Sequence, residues 1–250
     1  MKIKFYLSTF IILFLLLSFI YLNKMSVPLI ISNFSLDFES AEIDDNALYT
    51  NDQTFHIHNL TSNIWIESEL SNVANKYLAV RLENNQSRRE VKIIDIPNHS
   101  KKYISFSVYF DEEFKIPIDW TLFAQWWQGA PASPPVALEI SPNTDTFKFR
   151  VLTRHGPYQD AQPIIRFEDS IAKNKWHDFV IEIFIDESKQ NNGKLNIWLN
   201  NYQILSYTGP LGYPDLKEET NFRLGLYRAP RNKIPAVLYF DNINIGDRTH

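Results

Sequence analysis

Cysteine is absent from the 250 residues, methionine occurs twice and glycine only seven times. Without cysteine there is no disulfide framework, no thiolate metal centre, no cysteine nucleophile and no lipidated cysteine anchor. The formal net charge is only −4, so nothing global recruits nucleic acid, and affinity for a polyanion has to come from a local basic patch. Sustained apolar spacing of three and four is missing beyond the N-terminal segment, which removes the signature of a helical bundle. What is plentiful is aromatic: 18 Phe, 12 Tyr and 6 Trp in a chain that is 44% hydrophobic, enough for a substantial core.

The longest apolar run comes first. Lys2 and Lys4 precede Phe5 to Leu22, which only Ser8, Thr9 and Ser18 interrupt, and Asn23-Lys24 follows. Residues 1–24 therefore read as a signal peptide or an N-terminal membrane anchor, one hydrophobic helix in either case. No small-x-small cleavage site follows, which favours the uncleaved anchor, with the two lysines on the cytoplasmic side. The remainder would lie outside the cytoplasm, in the periplasm, secreted or held at the membrane by this segment alone. Residues 25–33, with Pro28, form a tether, and 34–250 a single domain.

Within that domain short runs of period two follow one another. Phe34 to Glu39 reads as a first strand and Ser40 to Asn51 as an acidic loop. Strands are then expected at Ile64–Ser68, Tyr77–Glu83, Glu90–Ile94, Tyr103–Phe110, Thr121–Gln128, Val136–Ile140, Phe147–Thr153, Ile164–Phe167, Phe179–Ile185, Leu195–Asn200, Tyr202–Tyr207, Phe222–Arg228 and Val237–Ile245. Lys189-Gln-Asn-Asn-Gly193 has hairpin composition. About a dozen strands at this spacing predict an all-β sandwich or jelly roll of two antiparallel sheets.

Three of these strands have a polar face. In Phe222 to Arg228 alternation sends Phe222, Leu224 and Leu226 one way and Arg223, Gly225 and Tyr227 the other. A glycine between two long side chains lets something approach the backbone. This suits either an ordinary half-exposed strand or the floor of a polar site. Gln125 and Trp127 share a face, as do Lys148, Arg150 and Arg154. A concave sheet lined by Arg, Gln, Tyr and Trp matches an acidic sugar chain: guanidinium binds carboxylate bidentately, an amide bonds hydroxyls and an indole stacks on pyranose C–H groups.

From Phe34 to Gly246 the chain resembles the jelly-roll polysaccharide lyases of the heparin lyase I, glucuronan lyase and alginate lyase type. The resemblance is carried by Lys175-Trp-His-Asp-Phe-Val, Gly193-Lys-Leu-Asn-Ile-Trp-Leu-Asn, Tyr207-Thr-Gly-Pro-Leu-Gly-Tyr, Phe222-Arg-Leu-Gly-Leu-Tyr-Arg and Tyr239-Phe-Asp-Asn-Ile-Asn-Ile-Gly. It implies a concanavalin A-like jelly roll and three active-site motifs. Arg-x-Glu falls on Arg88-Arg89-Glu90, making Arg88 the carboxylate-binding arginine. Gln-x-His falls on Gln125-Trp126-Trp127, which keeps the glutamine and has Trp127 at the histidine position. Phe-Lys-x-Gly-x-Tyr falls on Phe222 to Tyr227, with Arg223 for the lysine and Tyr227 retained. The chemistry implied is β-elimination at a uronic acid, with Arg88 and Gln125 neutralising the carboxylate. Tyr227 would take the C5 proton as phenolate and return one to the 4-oxygen, provided Arg88 and Arg223 lie close enough to favour that form. One residue in both roles points to syn elimination. The expected partner is an anionic polysaccharide, the expected state a monomer, and no cofactor is required.

Other polar residues have plainer readings beside functional ones. His155, after Arg154, is a surface-turn histidine or a replacement for the absent one, and with Trp127, Arg150 and Arg154 it belongs to the expected substrate-binding set. Trp126 reads as core, Trp127 as a sugar platform or packing, and His177 as structural. His56 and His58 share a strand face without a third ligand nearby. Asp37, Glu39 and Asp241 would hold a structural calcium if the first and last strands pair. Glu182, Asp186 and Glu187 do not have the close carboxylate spacing of a retaining glycosidase. The rival to the lyase is a non-catalytic carbohydrate-binding protein that kept the cleft.

Overall fold

A computed structural model describes residues 64 to 248 except 70, 71, 98, 143 and 188–191. Of the chain before them it describes residues 30–36, 42–44, 47–50 and 53–58, as backbone, together with Phe38. The N-terminal helix expected at 1–24 lies outside the described residues, among which no helix is long and apolar enough to cross a membrane.

Seventeen strands are described. The first six are β1 Ile30–Leu36, β2 Glu42–Asp44, β3 Ala47–Thr50, β4 Gln53–His58, β5 Ile64–Glu69 and β6 Asn72–Leu82. Then come β7 Arg88–Ile96, β8 Lys101–Phe110, β9 Thr121–Trp127, β10 Val136–Ile140, β11 Lys148–Thr153 and β12 Ile164–Ser170. Last are β13 Trp176–Phe184, β14 Lys194–Leu199, β15 Tyr202–Thr208, β16 Thr220–Arg228 and β17 Ala236–Arg248. They form two antiparallel sheets. One has eight strands in the order β15-β14-β13-β8-β17-β6-β5, with β1 on the far half of β17, and the other nine in the order β12-β11-β10-β9-β16-β7-β4-β3-β2.

Alternation fixes which side of each strand is buried. In β16, Phe222, Leu224 and Leu226 are each fully buried, as their spacing requires. Across the gap between sheets Phe106 of β8 meets Phe222 at 6.0 Å and Phe179 of β13 meets Phe123 of β9 at 5.9 Å and Phe149 of β11 at 5.6 Å. Each such ring pair adds about 1 kcal/mol to the burial of its area. β10 is buried along its whole length, apolar except for Glu139.

Two stretches differ from the sequence reading. The segment Ser40 to Asn51, expected as an acidic loop, contains β2 and β3, and the first strand begins at Ile30 instead of Phe34. Both lie where pairing is set by a neighbour's backbone more than by side-chain pattern: β2 and β3 close the edge of the nine-stranded sheet, where charge is tolerated. β1 is held by the last residues of β17, from Ile30↔Arg248 to Leu36↔Ile243.

At the end of β16, Arg228 is buried and ties three segments together without a carboxylate. Its Nη2 donates to the carbonyl of Glu83 (2.7 Å), its Nε to that of Gln86 (3.1 Å) and its Nη1 to that of Ile234. Arg228→Lys is expected to lower stability by about 2 kcal/mol, because one ammonium cannot reproduce the fork and leaves carbonyls unpaired. Urea midpoints of the two proteins would measure it, and an unchanged midpoint would show the network to be dispensable.

Candidate functional site

The outer face of the nine-stranded sheet carries the polar side chains that alternation excludes from the core, and the register sets them in rows. Opposite one another run Arg150 of β11, Glu139 of β10, Leu122 of β9, Tyr227 of β16 and Arg88 of β7. Further along β9 and β16, across a register shift, lie Gln125 and Arg223, also direct partners. Over these rows opens a cleft of about 610 Å³. Its wall includes Arg88, Gln125, Trp127, Arg150, Arg154 and Tyr227 from the expected set, and Trp120, Asp119 and Glu139 in addition. Arg223 and His155 are not in the wall.

One end is organised by Glu90, which is 1% exposed. One of its carboxylate oxygens accepts from Arg88 Nε at 2.5 Å and the other from Gln125 Nε2. A β7 side chain reaches β9 only by passing over β16, and the residue beneath it there, opposite Glu90, is Gly225. With both hydrogen bonds taken on one side, Arg88 Nη2 and Gln125 Oε1 stay buried without a protein partner. Buried polar atoms are seldom left so. The guanidinium of Arg88 lies 4.5 Å over the ring of Tyr227, whose other neighbour is the edge-on ring of Trp120 at 4.8 Å.

Trp127 is both packing and surface. Arg223 sits 4.5 Å from its ring and Arg88 5.4 Å, while its Nε1 donates to the carbonyl of Ala132 at 2.8 Å. Arg223 is 7% exposed and bonded to Asn221 Oδ1 at 2.5 Å, so it acts from behind the tryptophan and not as a wall residue. Burial lowers its pKa, opposed by the nearby Glu90 carboxylate, and its Nη1 has no partner. Glu90 is the counter-charge among these cations. Glu90→Gln should therefore cost about 1–3 kcal/mol, seen as a lower melting temperature, since it leaves two close guanidinium groups uncompensated.

The other end is built differently. Arg150 Nε donates to Ser141 Oγ at 3.0 Å and is flanked by Glu168 at 3.3 Å and Glu139 at 3.5 Å. Its expected freedom to hold substrate is therefore reduced by two carboxylates from neighbouring strands. Arg154 donates from Nη1 to the carbonyl of Pro134 at 2.8 Å, and burial lowers its pKa. His155 follows it, its backbone bridged to Gly212, and is not among the residues that line the cleft. Glu139 is 4% exposed, and burial pushes its pKa up to about 7 against the pull of Arg150 and Arg154.

Sequence reading did not single out Glu139, Trp120 or the bridging role of Glu90. The first had a signal, one carboxylate inside Val136-Ala-Leu-Glu-Ile, an otherwise apolar strand. The last had none, since its reach over Gly225 depends on strand order.

His177, Trp126 and Glu182 sit elsewhere. His177 is 3% exposed, with Nε2 2.7 Å from the carbonyl of Ala172 and Nδ1 3.3 Å from Asn200 Nδ2, a structural histidine as expected. Trp126 is fully buried in the core. Glu182 belongs to the eight-stranded sheet, bonded to Asn196 and Lys194, away from the cleft. β1 and β17 pair, but Asp37 and Glu39 lie outside the described residues, as do the side chains of His56 and His58.

No curated protein sequence matches the chain. Several solved structures share the fold at identities that establish nothing finer. An endo-β-1,4-glucuronan lyase from the fungus Trichoderma reesei superposes with a TM-score of 0.62 at 15% identity, over 76% of this chain and 90% of that one. The alginate lyase Aly36B gives 0.57 at 16% identity, over 76% and 85%, and a mutant of it in complex with an alginate tetrasaccharide 0.58 at 15%, over 78% and 88%. The family model described as polysaccharide lyase matches residues 47–244, nearly the whole span of both sheets, and the chain thus belongs to the polysaccharide lyase family.

Proposed function

We propose that the protein cleaves a uronic-acid-containing polysaccharide by β-elimination, with the reaction centred on Tyr227. The observation that supports this most is the pair of buried, unpartnered atoms, Arg88 Nη2 and Gln125 Oε1, on two side chains that line the same cleft as the Tyr227 phenol. A guanidinium N–H is a donor for a carboxylate oxygen, and the amide oxygen is an acceptor for a sugar hydroxyl or a protonated acid.

The proton on C5 of a uronate is weakly acidic because its loss puts further charge onto the carboxylate. Arg88, steadied by Glu90, would bind that carboxylate and oppose the charge as it grows, with Gln125 beside it, in a site where both are already oriented. Tyr227 would remove the C5 proton and return one to the departing 4-oxygen. With both acts on one face of the ring, elimination is syn. Arg88 also lies over the face of the phenol ring, 4.5 Å from its centroid, so the cation and the phenol adjoin the same stretch of the cleft.

A second reading, a non-catalytic carbohydrate-binding protein, is favoured by Trp127. Its indole stands at the histidine position and is stacked by two arginines, and among the described residues no histidine lines the cleft. Incubation with alginate, glucuronan, glycosaminoglycans and uronate-bearing exopolysaccharides, followed at the absorbance of the unsaturated product, decides between them. Binding without a rise in absorbance on any of these polymers would leave the lectin. We further propose that the domain acts outside the cytoplasm as a monomer, held by residues 1–24, and needs no cofactor for the reaction.

A further inference from the structure

We propose that Trp120 is a further substrate contact, a fixed aromatic platform for the sugar on the far side of the scissile bond, the one that leaves with the glycosidic oxygen. This rests on a uronate being held by Arg88 and Gln125. The indole is half-buried and lines the cleft at the rim where β9 begins, while the 130–134 segment, which also lines it, follows the other end of β9. Two tryptophans thus border the cleft, and they differ in what is left of their rings. The Trp127 ring is approached by two guanidinium groups and its Nε1 is bonded to Ala132. Among the described residues, Trp120 has no cation over its ring and no hydrogen-bond partner for its Nε1.

The platform is built before any ligand arrives. Asn232 is 5% exposed, and its Nδ2 is within hydrogen-bonding distance of the carbonyls of Asp119 (2.9 Å) and Trp120 (3.1 Å) and of Thr121 Oγ1 (3.0 Å). Its Oδ1 accepts from Asp119 N at 2.9 Å, and Ala229 N donates to the Trp120 carbonyl at 3.0 Å. Arg231 closes on one oxygen of the Asp119 carboxylate, and the other accepts from Trp120 N at 2.9 Å. The backbone around the indole is therefore fixed by the turn that follows β16, the strand that carries Tyr227. The ring itself packs on Leu122, Ala137 and Leu152, an apolar cluster it shares with Tyr227. A side chain ordered in advance adds little entropic cost when a ligand meets it.

The order of groups along the cleft decides which sugar the indole meets. Arg88 sits on β7 and Trp120 just before β9, the two neighbours of β16, and both adjoin the Tyr227 ring, at 4.5 Å and 4.8 Å. Gln125 is separated from Trp120 by most of β9, on the order of 15 Å of strand. The uronate carboxylate is thus held away from Trp120, and the phenol that handles C5 and O4 stands between. When the C5 proton passes to Tyr227, a C4–C5 double bond forms and the C4–O bond breaks. The oxygen keeps that bond's electron pair, takes a proton from Tyr227 and departs on C1 of the next sugar. That sugar lies past the phenol, where the indole is. The two rings meet at 74° and form a corner, so a pyranose laid on the indole by its C–H face can hold its glycosidic oxygen toward the phenol. An aromatic face accepts an acidic or a neutral sugar alike, because it contacts C–H groups and not the carboxylate.

The test is titration calorimetry in a Tyr227→Phe background, so that cleavage does not consume the ligand, with and without Trp120→Ala. The ligands are saturated tetrasaccharides of glucuronate and of mannuronate, and trisaccharides of the same acids that begin with the unsaturated residue and so lack the departing sugar. Trp120→Ala should weaken tetrasaccharide binding at least about tenfold and trisaccharide binding by about threefold or less. Trp120→Phe, which keeps a ring face, should restore most of the difference. Should the alanine protein fail to fold, Trp120→Leu, which keeps apolar bulk without a ring face, takes its place. Unchanged tetrasaccharide binding, with or without a loss of turnover in the Tyr227 parent, would leave Trp120 as packing for the phenol and overturns the inference. An equal loss on both ligands moves the contact to the uronate and overturns it too. Binding of neither acid overturns it along with the uronate site itself. The stated pattern without cleavage by the parent protein upholds the platform and removes only the lyase activity.

Discussion

Tyr227→Phe is expected to lower turnover of a uronate polymer by about 10³-fold while leaving its Kd within about threefold. The change removes one oxygen. It leaves the ring, so the edge contact with Trp120 and the face beneath Arg88 persist. Arg88 and Gln125 keep their bonds to Glu90, neither of which involves the phenol, and the carboxylate site stays assembled. What disappears is the group that moves the proton, and positioned proton transfer contributes about 10²–10⁴-fold. The middle of that range is expected, with one residue assigned both transfers. Single-turnover absorbance and calorimetry, run on the same preparations, measure the two quantities separately. A turnover loss below tenfold would remove Tyr227 from the chemistry, and a matched loss of binding would make it a substrate contact instead.

Gly225→Val is expected to destabilise the protein by about 4 kcal/mol or more and to abolish activity with it. Gly225 has φ +141°, a backbone conformation that β-branched residues rarely adopt. Added Cβ would come within 2.3 Å of the Arg89 carbonyl oxygen and 2.7 Å of Glu90 Cα, both backbone atoms that cannot turn aside. The neighbouring strand would have to move, and it is the strand that carries Arg88 and Glu90. Thermal unfolding should show a fall of roughly 10–15 °C for a chain of this size. A melting temperature within a few degrees of the parent would mean that β7 has slack there and that the close approach is incidental. The same glycine reads in the sequence only as a gap between Arg223 and Tyr227. The structure gives it a second use, since the side chain of Glu90 crosses at this point to reach Gln125.

Legibility differed by element. Strands with one apolar face were plain, because a period of two has a single solution once one side must be buried. Gln125, Tyr227 and Arg223 were legible as members of polar faces, and Arg88 only through the family resemblance. That Arg223 lies behind Trp127 while Arg88 lies over Tyr227 was not, since alternation gives the side of a strand and not the depth of a side chain. Arg150 looked like a free cation for the same reason: its companions Glu139 and Glu168 stand 11 and 18 positions away, brought alongside by strands β10 and β12. His155 looked close to the site because it follows Arg154, but the chain turns away after the strand ends.

By itself the sequence settled the all-β architecture, the inward faces of the strands and the residue types available for an acidic glycan. These are local properties, written in the alternation of neighbouring residues and in the absence of helical period. Only the tertiary structure decided which side chains share a row, and hence that one carboxylate, Glu90, steadies both Arg88 and Gln125 while another, Glu139, faces the far end of the cleft. Strand order creates those meetings, and it is fixed by the packing of two whole sheets, which no single stretch of the chain contains.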